Sequence, residues 1–345
     1  MSNCVYSLIL SAGLLAGSLH ASTLVVANKA EATVSLVDVP SGKVMATLPV
    51  GTGPHEVAVS ADGRLALIAN YGTGPQPGSS LTLIDIPAAK VVKTIELGEY
   101  RRPHGLTFLG KDRALVTSEA SKNLIEVDIE AGKVIRAIPT GQEVSHMLAV
   151  APDGSRAFIA NIGSGSMTAI DLKAGKKLSD VQTGAGAEGI AITPDGRQVW
   201  VTNREADTVT VLDASTLKVV KSFEAASFPI RAEATPDGKR VLVSLARSGD
   251  LAVFSTAGPA LESRIKLEAA AASDQDGRLL SGFGNSSVPI GIEIAPDGKR
   301  AYVAHANADQ ISVVDLVEGK KVGSLTAGKE PDGMGMSPLD VKPSK

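Results

Sequence analysis

Short apolar segments separated by turn residues recur along this chain with a period of about 42 residues. The clearest turns read Pro-Asp-Gly and occur at Pro152–Gly154, Pro194–Gly196, Pro236–Gly238 and Pro296–Gly298. Between two of these turns the segments are rich in Val, Ile and Thr, which is typical of strands. In one repeat they are Glu188–Thr193, Gln198–Asn203, Thr208–Asp213 and Lys218–Phe223. The pattern therefore predicts four short strands in each repeat.

The ends of the chain complete the repeat count. Six full repeats lie between Pro54 and Ala327, and the third strand of each repeat ends on Asp or, once, on Ser255. The C-terminal Pro331–Met336 is typical of a first strand, whereas the N-terminal residues 23–50 contain a second, third and fourth strand. Joining them in one sheet removes the exposed edges of an open array. We therefore predict an all-β, seven-bladed propeller with four antiparallel strands per blade and a single domain over residues 22–345.

The first 21 residues have a different character. Val5–Leu19 is apolar and uncharged, and it leads to Leu19-His20-Ala21, an imperfect small-residue cleavage site. These features indicate a secretory signal peptide, the alternative being an ordinary buried N-terminal segment. We expect a secreted, periplasmic protein with no membrane span in the mature chain, because the apolar run is shorter than about 20 residues. Cys4 is the only cysteine and precedes this run, so the mature chain would have no disulfide or thiolate metal site.

Composition narrows the class of partner. The chain has 345 residues, 43% hydrophobic content and a formal net charge of -3, which suits a soluble folded protein and gives no general attraction to nucleic acid. The glycine-rich turns lack the strand-to-helix setting of a phosphate-binding loop, and Asp274–Gly277 lacks the remaining ligands of a calcium loop. The partners that remain compatible with the sequence are a small molecule, a metal ion or a protein bound at the channel rim.

Alignment of the repeats on their turns places one residue of each blade at the start of its innermost strand. In ring order these residues are His55, His104, His146, Glu188, Ile230, Ile290 and Asp332. Three consecutive blades thus carry His, with a carboxylate on each side once the ring closes. Imidazole and carboxylate ligands suit Zn, Cu, Fe, Ni or Mn. We predict a divalent-metal site at His55, His104, His146 and Glu188, with Glu119 or His305 as other candidates for the further ligand. The alternative is a polar channel mouth whose histidines only hydrogen-bond water and neighbouring carbonyls.

The residue that ends the second strand marks the same rim. The alignment assigns this position to Asn28, Asn70, Glu119, Asn161, Asn203, Leu245 and His305. We interpret the recurring Asn as a turn residue that tolerates left-handed backbone. Further candidate ligand contacts are Glu119, Arg231, His305, Asp332 and Tyr71, with a surface role or an inter-blade salt bridge as the alternative for Arg231. Two insertions, Gly72–Ser80 and Glu268–Ser287, lengthen loops on this rim, and the longer one is a candidate lid.

The repeated motif resembles the YVTN-repeat family of secreted, mostly bacterial seven-bladed propellers. The matching segments are Glu188–Ala191, Val199–Asn203 and Ala301–Ala304, and the resemblance covers nearly all of the mature chain. It implies the propeller fold but no single activity, because the family is functionally mixed.

Three functional classes follow from the rim residues. The first is a protein that binds a small ligand or a metal. The second is a metal-dependent lyase or lactone hydrolase in which a histidine or Glu188 transfers the proton. The third is a redox accessory protein, which the 3% aromatic content disfavours because a quinone site needs stacking rings.

Overall fold

The computed structural model describes residues 22–273, 278 and 281–342, and it contains seven four-stranded antiparallel sheets. The prediction of a seven-bladed propeller is therefore confirmed. The predicted signal peptide at residues 1–21 and the segment Asp274–Gly277 lie outside the described residues, as does part of the insertion Glu268–Ser287.

The strands follow one another blade by blade, with the innermost strand first in blades 1 to 6. The closing blade begins with β1 (Thr23–Asn28), β2 (Thr33–Asp38) and β3 (Lys43–Pro49). Blade 1 has β4 (Pro54–Val59), β5 (Leu65–Gly72), β6 (Pro77–Asp85) and β7 (Lys90–Glu96). Blade 2 has β8 (Pro103–Leu109), β9 (Arg113–Ser118), β10 (Asn123–Asp128) and β11 (Lys133–Pro139). Blade 3 has β12 (Ser145–Val150), β13 (Arg156–Asn161), β14 (Ser166–Asp171) and β15 (Lys176–Gln182).

The second half of the ring repeats this order. Blade 4 has β16 (Ala187–Ile192), β17 (Gln198–Asn203), β18 (Thr208–Asp213) and β19 (Val219–Glu224). Blade 5 has β20 (Pro229–Ala234), β21 (Arg240–Leu245), β22 (Asp250–Ser255) and β23 (Ala260–Lys266). Blade 6 has β24 (Pro289–Ile294), β25 (Arg300–His305), β26 (Gln310–Asp315) and β27 (Lys320–Thr326), and β28 (Pro331–Ser337) returns to the closing blade. Two short 3-10 turns, Lys29–Glu31 and Ser281–Phe283, interrupt the pattern.

The ring closes through the pairing of the two chain ends. Strand β28 pairs antiparallel with β1, and Val25 lies opposite Gly335 in the register. The sheet order β28-β1-β2-β3 therefore leaves the closing blade with the same four strands as the others. This arrangement is the one predicted from the unpaired strands at the two ends of the sequence.

The hydrophobic core lies between the faces of neighbouring blades. Trp200 of blade 4 is fully buried against Phe254 of blade 5, with ring centroids 6.0 Å apart. The two middle strands of each blade are almost completely buried, whereas the outermost strands, such as β19, are mostly exposed. Because each blade buries both faces against its neighbours, the core is a closed series of interfaces around the channel axis.

Glycine allows the innermost strands to approach one another closely. A Cβ at Gly189 would lie 2.2 Å from the carbonyl oxygen of Ile230 in the next blade. A Cβ at Gly291 would lie 2.1 Å from the carbonyl oxygen of Asp332. No real side chain tolerates such distances, so these two positions require glycine for the blades to meet at the axis.

The Pro-Asp-Gly turns are structural. The Asp195 carboxylate accepts hydrogen bonds from the backbone N–H of Arg197 at 3.0 Å and from the hydroxyl of Thr193 at 2.6 Å. The same side chain therefore stabilises the turn that connects the first and second strands.

The recurring Asn at the end of the second strand holds the blade together through its side chain. The amide of Asn203 donates to the hydroxyls of Thr208 and Thr210 at 3.0 Å each, across the β17–β18 hairpin. Asn28 has an extended backbone with φ of -102°, and none of the recurring Asn residues has a positive φ, so the left-handed part of the interpretation is wrong, whereas hydrogen bonding within the local hairpin is confirmed. The Asn is favoured because its two donors reach two hydroxyls on the next strand.

Across the described residues, no helix has the length and apolar character needed to cross a membrane.

Candidate functional site

One end of the central channel opens into a cavity of about 490 Å³, here called the mouth cavity. The second residue of every innermost strand lines it, and we call these seven residues the inner ring: His55, His104, His146, Glu188, Ile230, Ile290 and Asp332. The β-strand register explains this convergence, because the same position of each first strand faces the axis in every blade. The alignment of the repeats thus brings together residues that are up to 277 positions apart in the chain.

A second set of cavity residues lies one position after the recurring Asn position of each second strand. Pro103 pairs with Ser118 in blade 2, as Pro54 pairs with Asn70 in blade 1, so Ser118 occupies the position of the recurring Asn. The assignment of Glu119 to that position is therefore wrong by one residue. Glu119 instead belongs to the next position, which we call the second ring: Lys29, Tyr71, Glu119, Ile162, Arg204, Ala246 and Ala306. Five of these seven side chains line the mouth cavity.

The one-residue shift of Glu119 matters because the Asn position and the second ring lie on opposite faces of the strand. Successive side chains of a strand point in opposite directions, so the Asn position faces the blade interior and the second ring faces the cavity. Glu119 is 6% exposed and lines the cavity, which a residue replacing the structural Asn would not do.

A third set of cavity residues was not predicted from the sequence. The residue two positions before each inner-ring residue has a positive φ, and its carbonyl accepts the N–H of the second-ring residue of the same blade. These third-ring residues are Gly53, Arg102, Val144, Gly186, Phe228, Val288 and Glu330. Arg102, Val144 and Phe228 line the mouth cavity. The identity of these side chains varies, so only the repeated backbone conformation marks the position.

Two imidazoles and one carboxylate form a compact buried group in this cavity. The ligand atoms of His104, Glu119 and His146 all lie within 4.8 Å of one another. His104 is 1% exposed, and its ring centroid lies 3.6 Å from that of His146. A group of this size and composition could hold a metal ion.

The hydrogen bonds around His146 fix the orientation of its ring. The Nδ1 atom of His146 forms a short hydrogen bond with the Glu119 carboxylate, which also accepts the hydroxyl of Tyr71. The Nε2 atom lies 3.4 Å from Glu188 without forming a hydrogen bond. Burial opposes protonation of His146, but the two flanking carboxylates outweigh it and raise its pKa.

His55 completes a row of rings along one side of the cavity. Its Nδ1 lies 2.9 Å from the carbonyl oxygen of Gly53 and donates to it, which leaves Nε2 as an electron-pair donor. The His55 ring stacks on Tyr71 at 4.3 Å and lies 5.0 Å from the His104 ring. Burial and the nearby Lys29 lower the pKa of His55 to about 3, so this imidazole is neutral. Burial and the neighbouring histidines also lower the pKa of His104 well below its ordinary value.

The opposite side of the cavity contains a network of buried ion pairs. Arg231 donates to Glu56 at 2.6 Å and to Glu188 at 3.2 Å, and Arg204 donates to the other oxygen of Glu188 at 2.7 Å. Burial opposes ionisation of Glu188, but His146 and both arginines lower its pKa to about 2. Arg231 therefore links blades 1, 4 and 5 across the axis and also lines the cavity.

Asp332 and Tyr71 also line the cavity. Asp332 is 1% exposed and accepts a hydrogen bond from Lys29 at 3.1 Å. Burial opposes the ionisation of Asp332, but the charges of Lys29 and Arg231 lower its pKa. Arg102 lies over the Tyr71 ring at 4.9 Å and donates to the carbonyl oxygens of Thr73 and Gly74 in the hairpin loop beside it.

The first insertion extends a hairpin over the cavity. Strand β5 ends at Gly72 and strand β6 begins at Pro77, so only four residues form the loop that connects them. Gly72, Thr73 and Gly74 line the mouth cavity. The predicted added loop is thus mostly added strand.

His305 is not among the residues that line the mouth cavity. It is fully buried at the Asn position of blade 6, and its two nitrogens bond the hydroxyls of Ser287 at 2.9 Å and Ser312 at 2.8 Å. Burial lowers its pKa to about 3. His305 therefore takes the hairpin role that Asn203 has in blade 4, and the structure does not bring it to the other histidines.

Sequence and structural comparisons agree with this architecture. A family model described as a YNCE-like beta-propeller matches residues 116–273. The chain fits a YVTN-type propeller. The resemblance drawn from the repeated motif is thereby confirmed, since both the family match and the seven closed blades agree with it. No curated protein matches this propeller in sequence.

Solved structures show the same fold. One is the hydrazine synthase of Kuenenia stuttgartiensis, at 20% identity and a TM-score of 0.69, covering 84% of this chain and 92% of that chain. Another is a functionally unknown protein from Desulfotomaculum acetoxidans DSM 771, at 15% identity and a TM-score of 0.75, covering 93% of this chain and 99% of that chain. At these identities the likeness concerns the propeller fold alone.

Proposed function

We propose that this propeller binds one divalent transition-metal ion in the mouth cavity. The observation that carries the proposal is the group of His104, Glu119 and His146, whose ligand atoms lie within 4.8 Å of one another inside a cavity. In a tetrahedral site with bonds of about 2.0–2.2 Å the ligand atoms stand roughly 3.4 Å apart. Side-chain rotations that move the ligand atoms by about 1 Å would therefore bring all three into coordinating distance of one ion.

Unsatisfied nitrogen atoms support the same ligands. His104 Nδ1 and His146 Nε2 are buried and have no hydrogen-bond partner in the described chain. Buried polar atoms without partners are rare in native proteins, and a metal would give both nitrogens a partner. The Glu119 carboxylate serves either as the third ligand or as the acceptor that holds His146 Nδ1–H and directs Nε2 to the ion.

His55 and Glu188 would complete the coordination. The His55 Nε2 is the free nitrogen of a neutral ring 5.0 Å from His104, and Glu188 lies 3.4 Å from His146 Nε2. A set of imidazole and carboxylate ligands suits Zn, Cu, Fe, Ni or Mn rather than a soft ion that needs thiolates.

The electrostatics favour a binding role over catalysis by Glu188. A carboxylate with a pKa of about 2 that is paired with two arginines is a weak base at neutral pH. This environment argues against Glu188 as the proton-transfer group of a lyase or a lactone hydrolase. It suits a residue that holds arginines or an ion in place.

Metal titration of purified protein tests the proposal. We expect one equivalent of Co²⁺ to bind the chelator-treated protein, with visible absorption bands typical of nitrogen and oxygen ligands, and His146→Ala to abolish these bands. The matched control is His305→Asn, which places at this position the residue found in four other blades. Absence of Co²⁺ binding, or equal binding by His146→Ala and His305→Asn, would refute the proposed site.

A further inference from the structure

The mouth cavity has more unused hydrogen-bonding atoms than a metal ion would satisfy. Besides the two histidine nitrogens, Arg204 Nε, Arg231 Nε and Asp332 Oδ1 are buried without a hydrogen-bond partner among the described residues. All three side chains line the same cavity. Two of the three atoms are guanidinium N–H donors, so two arginines of the cavity lining carry a buried donor for which the described residues supply no acceptor.

The charge of the cavity favours an anion once a metal is bound. The lining contains four basic side chains, Lys29, Arg102, Arg204 and Arg231, and three acidic ones, Glu119, Glu188 and Asp332. Glu56 does not line this cavity but pairs with Arg231, so the four basic side chains are matched by four acidic ones. A divalent ion then leaves two uncompensated positive charges in a largely buried space, where charge imbalance is costly.

One wall of the cavity is apolar. Phe228, Ile230 and Ile290 line it on the side of blades 5 and 6. Arg204 lies over the Phe228 ring at 5.4 Å, so a charged donor stands beside this wall. A ligand that fits here has an anionic end and a short apolar body.

From these three observations we infer that the mouth cavity binds a small organic carboxylate. Its oxygens contact the metal and the unused N–H groups of Arg204 and Arg231, and its hydrocarbon part packs against Phe228, Ile230 and Ile290. A carboxylate suits this arrangement because its two oxygens can accept from a guanidinium and a metal at the same time. The inference rests on the proposed metal site and adds the class of ligand.

The test uses Co²⁺-loaded full-length protein and measures its visible spectrum during titration with butyrate, acetate, inorganic phosphate and butanol. We expect butyrate to change the spectrum with saturation and to bind about tenfold more tightly than acetate, because two further methylene groups are buried. Butanol should leave the spectrum unchanged. Arg204→Gln should weaken butyrate binding about tenfold through loss of a charged donor. The matched control, Arg64→Gln, removes an exposed arginine that pairs with Asp85 instead.

The outcomes separate the two proposals. If the unaltered protein does not bind Co²⁺, the metal site and the carboxylate site are both refuted. Co²⁺ binding without a spectral response to butyrate would overturn only the carboxylate inference. Equal butyrate affinity in Arg204→Gln and Arg64→Gln would also overturn the carboxylate inference. Tighter binding of phosphate than of butyrate would overturn it as well.

Discussion

Glu293 provides a test of the electrostatics of the channel that is independent of any ligand. It lines a second cavity of about 320 Å³ further along the axis, together with Glu233 and the buried pair of Glu56 and Arg231. Burial raises the pKa of Glu293 to about 8, and burial together with Glu293 raises the pKa of Glu233. The folded chain thus keeps a proton on Glu293 at neutral pH, while the unfolded chain releases it near the ordinary value of 4.5.

The direction of the pH dependence follows from proton counts. Between pH 4.5 and 8 the folded state binds more protons at this site than the unfolded state, so stability falls as the pH rises through this window. At pH 7 the difference of 2.5 units from 4.5 corresponds to an upper limit of about 3.4 kcal/mol. Water in the channel screens part of this cost, and we expect about 2 kcal/mol between pH 5 and pH 8.

The substitution Glu293→Gln should remove this part of the pH dependence. For a chain of this length, about 2 kcal/mol corresponds to about 3 °C in the unfolding midpoint. We therefore expect the fall in the midpoint from pH 5 to pH 8, measured by differential scanning fluorimetry with chelator present, to be about 3 °C smaller in Glu293→Gln. The control is Glu262→Gln on the exposed strand β23, which should behave as the unaltered protein. Identical pH profiles for Glu293→Gln and Glu262→Gln would refute the reasoning.

Further predictions concern the axis and the blades. Gly189→Ala should lower the thermal midpoint by several degrees, because the new Cβ would lie 2.2 Å from the carbonyl oxygen of Ile230. The control Gly323→Ala should leave the midpoint unchanged, because no atom beyond its chain neighbours lies within 4 Å of its new Cβ. Arg231→Leu should cost about 3 kcal/mol in chemical denaturation by leaving buried carboxylates unpaired, and the double substitution with Glu56→Leu should recover part of it. His305→Asn should keep the fold within about 1 kcal/mol by the same method, because Asn makes the equivalent hairpin bonds in other blades.

The repeat made the inner ring predictable. Because each blade repeats the same hydrogen-bond ladder, alignment of the Pro-Asp-Gly turns and their variants, such as Ala61–Gly63, superposes the starts of the innermost strands. The sequence alone therefore assigns His55, His104 and His146 to one rim, and all three line the mouth cavity. The strand count and the closure by β28 followed from the same periodicity.

The errors arose where a shift of one residue changes the face of a strand. Glu119 was aligned with the recurring Asn, although the hairpin register gives that position to Ser118. The sequence does mark the correct register, because Ser118 lies ten residues before Asp128, as Asn203 lies ten residues before Asp213, whereas Glu119 lies nine residues before Asp128. His305 shows the converse, since its position was assigned correctly but the side chain bonds two hydroxyls inside blade 6.

Other features required the closed ring itself. Arg231 and Glu56 lie 175 residues apart and meet only because blades 1 and 5 face each other across the channel. Glu233 and Glu293 are half-buried and line the same channel cavity, because the innermost strands of the neighbouring blades 5 and 6 meet at the axis. The third ring is defined by a backbone conformation that residues as different as Gly53, Arg102 and Phe228 adopt.

The sequence by itself determined the number of blades, the strand order and the channel end at which histidines gather, because these depend on local hydrogen-bond periodicity and turn chemistry. The tertiary structure alone decided which imidazoles and carboxylates lie within coordinating distance and which arginines neutralise them. Those distances depend on the curvature of the ring and on side-chain direction across its axis. No pattern within a single repeat specifies either one.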